Sequence, residues 1–187
     1  MIDILKTKIR GLVEDFEKSD FETFEYKTSS IWTLAESNIN SITKVLKNGS
    51  ELGSGEYSYD STTNKIEILA SLSTGDIIEV DYTYYKYSDN ELLGYISSAL
   101  VWISLFSPCQ SDFELELNEY IAPTPTNKEV DLISIIASIL INPNWTEKRL
   151  PNLTVRYPKR FSKEEKIQNL ISKFYTGLGV TSVIEWD

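Results

Sequence analysis

Residues Gly75–Leu105 read GDIIEVDYTYYKYSDNELLGYISSALVWISL, and the fold turns on the change of rhythm inside them. Up to Tyr87 the apolar residues alternate. Ile78, Val80, Tyr82 and Tyr84 lie on one side of an extended chain; Ile77, Glu79, Asp81, Thr83 and Tyr85 lie on the other. One apolar side and one mostly polar side describe a strand in a sheet buried on one face. At Ser88 the spacing becomes helical. Ser88-Asp89-Asn90-Glu91 has the form of a capping box, in which the serine accepts from a free helix amide and the glutamate reaches back. Sheet passes to helix without a linker, so the fold class is α+β.

Toward the N-terminus the alternation continues back to Phe21. It predicts strands at Phe21–Tyr26, Ile31–Leu34, Ile42–Leu46, Glu56–Tyr59, Lys65–Leu69 and Asp76–Tyr87. Turn chemistry separates them: Asn48-Gly49, where both residues tolerate positive φ, then Gly53-Ser54-Gly55, Asp60–Asn64 and Ser73–Asp76. Short strands so bounded form a small antiparallel sandwich or sheet module over 21–88. Before it, Ile2, Leu5, Ile9, Leu12, Val13 and Phe16 fall at helical spacing, which predicts an amphipathic helix within 1–20 that ends near Lys18-Ser19. Ser19-Asp20-Phe21-Glu22 also fits the capping box but leads into alternation, so no helix is placed there.

Toward the C-terminus, Thr126-Asn127-Lys128-Glu129 and Ser162-Lys163-Glu164-Glu165 repeat the capping box ahead of apolar runs. Helices are predicted at Asp89–Phe106, Lys128–Ile141 and Lys163–Tyr175, giving 89–187 a helical character with about four helices in all, counting the first. Asn142-Pro143 stops the second of these, and Gly177 and Gly179 stop the third. The intervening 107–126 is acidic (Asp112, Glu114, Glu116, Glu119) and ends in Pro-x-Pro. It reads as a short strand or an extended arm, Leu150–Tyr157 as another extended piece, and 176–187 as a C-terminal arm or strand.

Asp89–Phe106 is apolar nearly all round, and DLISIIASILI at Asp131–Ile141 is similar. A helix apolar on every side is covered on every side. A chain of 187 residues is one domain or a small domain with an appendage, so the expected cover is a second subunit. The residues expected at subunit contacts are Leu93, Ile96, Leu100, Trp102, Ile103, Ile133, Ile136 and Leu140.

Composition excludes much chemistry. There is no histidine and one cysteine, Cys109, so histidine-based triads, histidine zinc sites, thiolate clusters and an intrachain disulfide are all ruled out. Cys109 reads as an inert small residue. No Gly-x4-Gly-Lys-Ser/Thr occurs; Gly49, Gly53 and Gly55 lie among hairpins and open no helix. Asp60–Asn64 lacks the calcium-loop pattern and reads as a turn. Glu79 with Asp81, and Glu114 with Glu116, share strand faces, but acids at this spacing are common on wet strand faces. The tyrosines Tyr82, Tyr84, Tyr85 and Tyr87 could stack on a sugar, although cross-strand packing is the commoner use. No catalytic, cofactor or metal residue is assigned.

Net charge is −10, which argues against nucleic acid as a principal surface partner. The charge is uneven. Glu147–Lys173 holds eight of the 18 basic residues against three acids, a surplus of five that leaves −15 elsewhere. Arg156, Lys159, Arg160 and Lys163 belong either to a solvated basic face or to a docking face for an acidic neighbour, another copy's acidic region included. The charged first sixteen residues do not read as a signal peptide, and no run approaches a membrane span. The Asn-x-Ser/Thr triplets at Asn48, Asn144 and Asn152 are expected to be chance, and a soluble protein of a reducing compartment is expected.

The succession VLKNGSELGSGEYSYDSTTNKIEI (45–68) and LSTGDIIEVDYTYY (72–85) resembles a β-sandwich pattern of tailed-bacteriophage virion proteins. ELLGYISSALVWI (91–103) and EVDLISIIASILI (129–141) look like the helical part of phage head–tail connector, or neck adaptor, proteins. The resemblance spans roughly Lys44–Ile141 and rests on turns and alternation; many adaptors are mostly helical, whereas here a β module precedes the helix pair. It implies a structural role in the virion, made in the host cytoplasm. Copies of the chain, about twelve by analogy, would form a ring between portal and tail. Its partners would be the portal protein, other neck or tail proteins, and DNA passing without sequence-specific binding; no membrane is involved. Another tail or capsid-associated protein, or a carbohydrate- or protein-binding β module, stands as the alternative.

Overall fold

The structure, a computed structural model, describes residues 1–108, 112–144, 147–150, 153–156, 161–176 and 183–184. In chain order it contains α1 (Ile2–Val13), β1 (Lys18–Glu25), β2 (Ile31–Thr33), β3 (Ile39–Lys47), β4 (Ser50–Glu51), β5 (Tyr57–Asp60), β6 (Lys65–Ile68) and β7 (Ile77–Tyr84). There follow α2 (Asp89–Phe106), β8 (Glu114–Glu116), β9 (Tyr120–Ala122), α3 (Asn127–Ile141), β10 (Glu147–Leu150), β11 (Leu153–Arg156), α4 (Lys163–Tyr175) and β12 (Val183–Ile184). The α+β class stands. The chain divides into two compact units, Phe16–Ser88 and a discontinuous one made of Met1–Asp15 with Asp89–Asp187.

Phe16–Ser88 is a small antiparallel sandwich. One sheet has the order β1-β7-β3-β4 and the other β2-β6-β5. Ile78, Val80 and Tyr82 of β7 point inward, as their alternation requires, and meet Leu34, Val45, Ile66 and Ile68 in one core. Phe24 stacks on Trp32 at 5.4 Å between ring centres. The turns follow the residue types. Asn48 (φ 50°) and Gly49 (φ 80°) both take positive φ, the tight hairpin geometry between β3 and β4. The Asn48 side chain accepts from the Ile77 amide and donates to Asp76, each at 2.8 Å. Asp76 also accepts from the Ser73 amide and pairs with Lys47. Together, the Ser73 amide first, these hold its carboxyl down to about 2. Asp60 closes its own loop by accepting from Thr62 and Thr63.

The helical unit is organised by α3, which packs against α1, α2 and α4. Thr126 and Glu129 form the capping box that starts α3, and Ser162 and Glu165 the one that starts α4. Two expectations need correction here. The first helix stops at Val13, where Glu14 turns left-handed (φ 57°), so Phe16 is not on its buried face but exposed, and strand β1 begins already at Lys18. The helix is also no separate segment: Ile2, Leu5, Ile9 and Leu12 are buried within the helical unit. No described helix is long and apolar enough to cross a membrane.

Candidate subunit-contact surface

The first question is what covers the two apolar helices. On α3, Val130 through Ile139 are all buried in the isolated chain. The polar members have partners. The Asp131 carboxylate is paired with Lys8 of α1, Ser134 Oγ donates to the Val130 carbonyl at 2.8 Å, and Ser138 Oγ donates to the Ile135 carbonyl at 2.7 Å. Ile133 and Ile136 are therefore enclosed by the chain's own helices, and α3 needs no second subunit. The expectation that they lie at a subunit contact is corrected. Leu140, one turn further on, is half-buried.

Helix α2 behaves differently. Leu92, Ile96, Ala99, Leu100 and Ile103 form its inward stripe. Ile96, Leu100 and Ile103, also expected at a contact, are thus core residues, again because sibling helices in the same chain reach them. Leu93 and Trp102 flank the stripe and are half-buried. The outward face carries Asn90, Gly94, Ser97, Ser98, Val101, Ser104 and Leu105, all exposed. Val101 is 55% exposed and Leu105 70%, and Phe106, at 39%, stacks on Trp102 with ring centres 5.2 Å apart. From Leu92 through Ser107 there is no charged residue. A helix face that stays in water normally carries charges. Covering the exposed parts of Val101, Leu105 and Phe106 is worth about 4 kcal/mol. Composition alone does not single out these three residues, because the helix is apolar nearly all round. The phase of Leu92, Ile96, Ala99 and Ile103 would have separated its two faces.

Beside α2 stands a hairpin. The acidic segment is no loose arm over 114–122: Glu114 pairs with Ala122, Leu115 with Ile121 and Glu116 with Tyr120. Leu117 (φ 52°) and Asn118 (φ 60°) make the turn. Phe113 and Ile121 are buried and anchor it, while Glu114, Glu116 and Glu119 remain exposed. Leu115 and Asn118 face Asn90, Leu93, Gly94 and Ser97 of α2 across an open cleft. Tyr120 Oη donates to Glu116 at 2.5 Å, and that carboxylate is the first cause that pushes the phenol up.

The second hairpin, β10–β11, packs by its first strand against α1. It carries Arg149 and Arg156, which share Glu147; the pairing, with Arg149 foremost, lowers that glutamate. Lys163 begins α4 near Glu164. Lys159 and Arg160, like Cys109 and most of the C-terminal arm, lie outside the described residues. Lys166, counted in the same basic window, is buried; its ammonium donates to the Pro143 carbonyl at 2.7 Å, and burial pushes its pKa down.

Of the four tyrosines, Tyr82 belongs to the sandwich core. Tyr82 is enclosed and donates to Glu22 at 2.7 Å, burial first and then the glutamate pushing the phenol up. Tyr84 packs at a tilt against Tyr82, 6.2 Å between centres. Among the described residues, no three His, Cys, Asp or Glu are grouped to hold a metal ion.

No known protein family and no curated protein matches the chain. The geometry above therefore carries the functional reading.

Proposed function

We propose that this protein is a structural virion component of a tailed bacteriophage, a subunit of the oligomeric head–tail connector ring between portal and tail. The observation that carries the proposal is the outward face of α2. It is uncharged over 16 residues, exposes Val101, Leu105 and Phe106, and is flanked by an ordered hairpin. Such a face is satisfied by association. The four-helix unit supports the resemblance of 91–103 and 129–141 to connector helices, and the acidic chain suits a conduit that repels DNA and does not trap it.

The test is multi-angle light scattering with negative-stain microscopy on the whole protein, at concentrations up to about 100 µM, where even contacts of that dissociation constant are half-populated. Closed rings are expected, with Leu105→Asp reducing them to monomers that melt like the parent. A monomer throughout, unchanged by Leu105→Asp, overturns the proposal.

A further inference from the structure

The edge strands of the sandwich are β1 and β4 in one sheet, β2 and β5 in the other. An exposed edge is a row of unpaired amides and carbonyls that another chain can join, and proteins blunt it by shortening the strand, by proline or by a bulge. Here β4 has two residues, β2 three and β5 four. Strand β1 has eight, KSDFETFE, without a proline, and its register with β7 runs unbroken from Lys18↔Tyr84 to Glu25↔Ile77.

Alternation decides which of its backbone groups are free. Just past the strand, the Tyr26 amide donates to the Asp76 carbonyl at 2.8 Å and the Tyr26 carbonyl accepts from Gly75 at 3.0 Å, so Tyr26 turns its backbone toward β7. Phe24, Glu22, Asp20 and Lys18 then turn the same way, and Ser19, Phe21, Thr23 and Glu25 turn outward. The Phe21 amide agrees: it donates at 2.8 Å to the Asp20 carboxylate, which stands where a further strand's carbonyl would. All four outward residues are exposed, Phe21 at 65%. Beside them lie Asp20, Glu22 and Glu36. Burial first, then Glu36 and Asp20, push the Tyr84 phenol up. Glu22 accepts from Tyr82 and from the Ala35 amide. Against these acids stands Lys18, 5.9 Å over the Tyr84 ring; Glu25 has Lys27 at 3.8 Å.

We propose that the free edge of β1 takes up an extended segment of a different protein by strand addition, with Lys or Arg opposite Asp20 and Glu22 and an apolar residue opposite Phe21. Main-chain hydrogen bonds to Ser19, Phe21, Thr23 and Glu25 supply the attachment and the side chains the choice of segment. Residues directly opposite in an antiparallel pair point to the same face, where opposite charges stabilise and like charges destabilise. A second copy's β1 fits worse. The two-fold registers of longest overlap, centred on Phe21 and on Glu22, set Asp20 against Glu22 or Glu22 against itself. The edge belongs to the sandwich and not to the α2 face, so it stands without the ring reading.

The probe is a fluorescein-labelled peptide, Lys-Val-Thr-Lys-Val-Lys-Thr-Glu, written to run antiparallel from Glu25 to Lys18; the control has Lys and Glu exchanged. Each is titrated to about 1 mM against the full chain by fluorescence anisotropy. The first peptide is expected to bind and to slow hydrogen–deuterium exchange, read by mass spectrometry, in Lys18–Glu25 but not in Ile39–Lys47. The control should bind at least about tenfold more weakly. Thr23→Pro removes an outward amide and leaves the ladder to β7 intact, so it should fold, by circular dichroism, and weaken binding at least about tenfold. Ser19→Pro repeats the test should Thr23→Pro fail to fold. The proposal is overturned if the first peptide does not bind, if the exchange of Lys18–Glu25 is unchanged on binding, if the control binds as well, or if a folded proline variant does. It is also overturned if the peptide-free parent already protects Lys18–Glu25 increasingly with its own concentration and Thr23→Pro abolishes that protection, which makes a second copy the occupant.

Discussion

Replacing Arg10 should unfasten the helical unit at one point. Its guanidinium, 13% exposed, pairs through Nη1 with Asp15 and through Nη2 with Asp89 at 2.9 Å. The two acids differ in setting. The Asp15 side chain is fully enclosed, whereas that of Asp89 is 62% exposed and keeps Lys6 at 2.7 Å. An exposed pair contributes about 0.2–1 kcal/mol. Removing the cation from an enclosed carboxylate costs about 3–5 kcal/mol, because the remaining charge stays desolvated. Arg10→Met keeps the apolar stem and should therefore lose about 3–5 kcal/mol, nearly all of it through Asp15. In a unit of this size that lowers Tm by about 10 °C or more. The assay is a double-mutant cycle on thermal and urea melts at 222 nm, with Asp15→Asn and the double variant. The double variant should recover most of the loss, since an uncharged Asn beside Met leaves no desolvated charge. Asp89→Asn should cost under about 1 kcal/mol. The reasoning fails if Arg10→Met costs less than about 1 kcal/mol, or if Asp89→Asn costs as much as Arg10→Met.

Three further outcomes are expected. Asp76→Ala should destabilise the sandwich in a pH-dependent way. A folded pKa near 2 against an ordinary 3.8 gives stability that is complete above the ordinary value and lost as pH falls toward 2, so the melts of parent and variant should converge in that window. Ile133→Ala, at the enclosed centre of α3, should cost about 2–5 kcal/mol in urea denaturation, whereas Val101→Ser on the outward face of α2 should stay within about 0.5 kcal/mol for the monomer. Gly49→Ala, forced to φ 80°, should cost about 1–2 kcal/mol in the sandwich, while Gly55→Ala, at an open position without positive φ, should be nearly neutral in the same melt.

Periodicity made most of the elements legible. The six expected strands correspond to β1–β3 and β5–β7, and Asp89–Phe106 and Lys163–Tyr175 match helices end to end, because caps and turns are written in local residue types. The two-residue β4 was missed; Ser50-Glu51 is too short to show a period and exists only by pairing with Leu46 and Lys47. What sequence could not supply was the partner of each apolar face. DLISIIASILI looks unsatisfied until α1, from the far end of the chain, is laid against it and Lys8 reaches Asp131. That long-range pairing places Ile133 and Ile136 in the core, whereas α2 keeps Val101, Leu105 and Phe106 facing outward. The acidic segment became a hairpin for a similar reason: Leu117 and Asn118 turn left-handed without a glycine to announce it.

The sandwich leaves and re-enters the helical unit at neighbouring points, since one guanidinium grips both Asp15 and Asp89. The cost of closing the helical unit across Phe16–Ser88 therefore grows only slowly with the length of the excursion. The helical unit behaves as a chassis with a socket: a bridge of a few residues from Asp15 to Asp89 should satisfy its backbone as well as the sandwich does. The bundle that carries the proposed contact should therefore fold with the inserted module shortened, exchanged or removed.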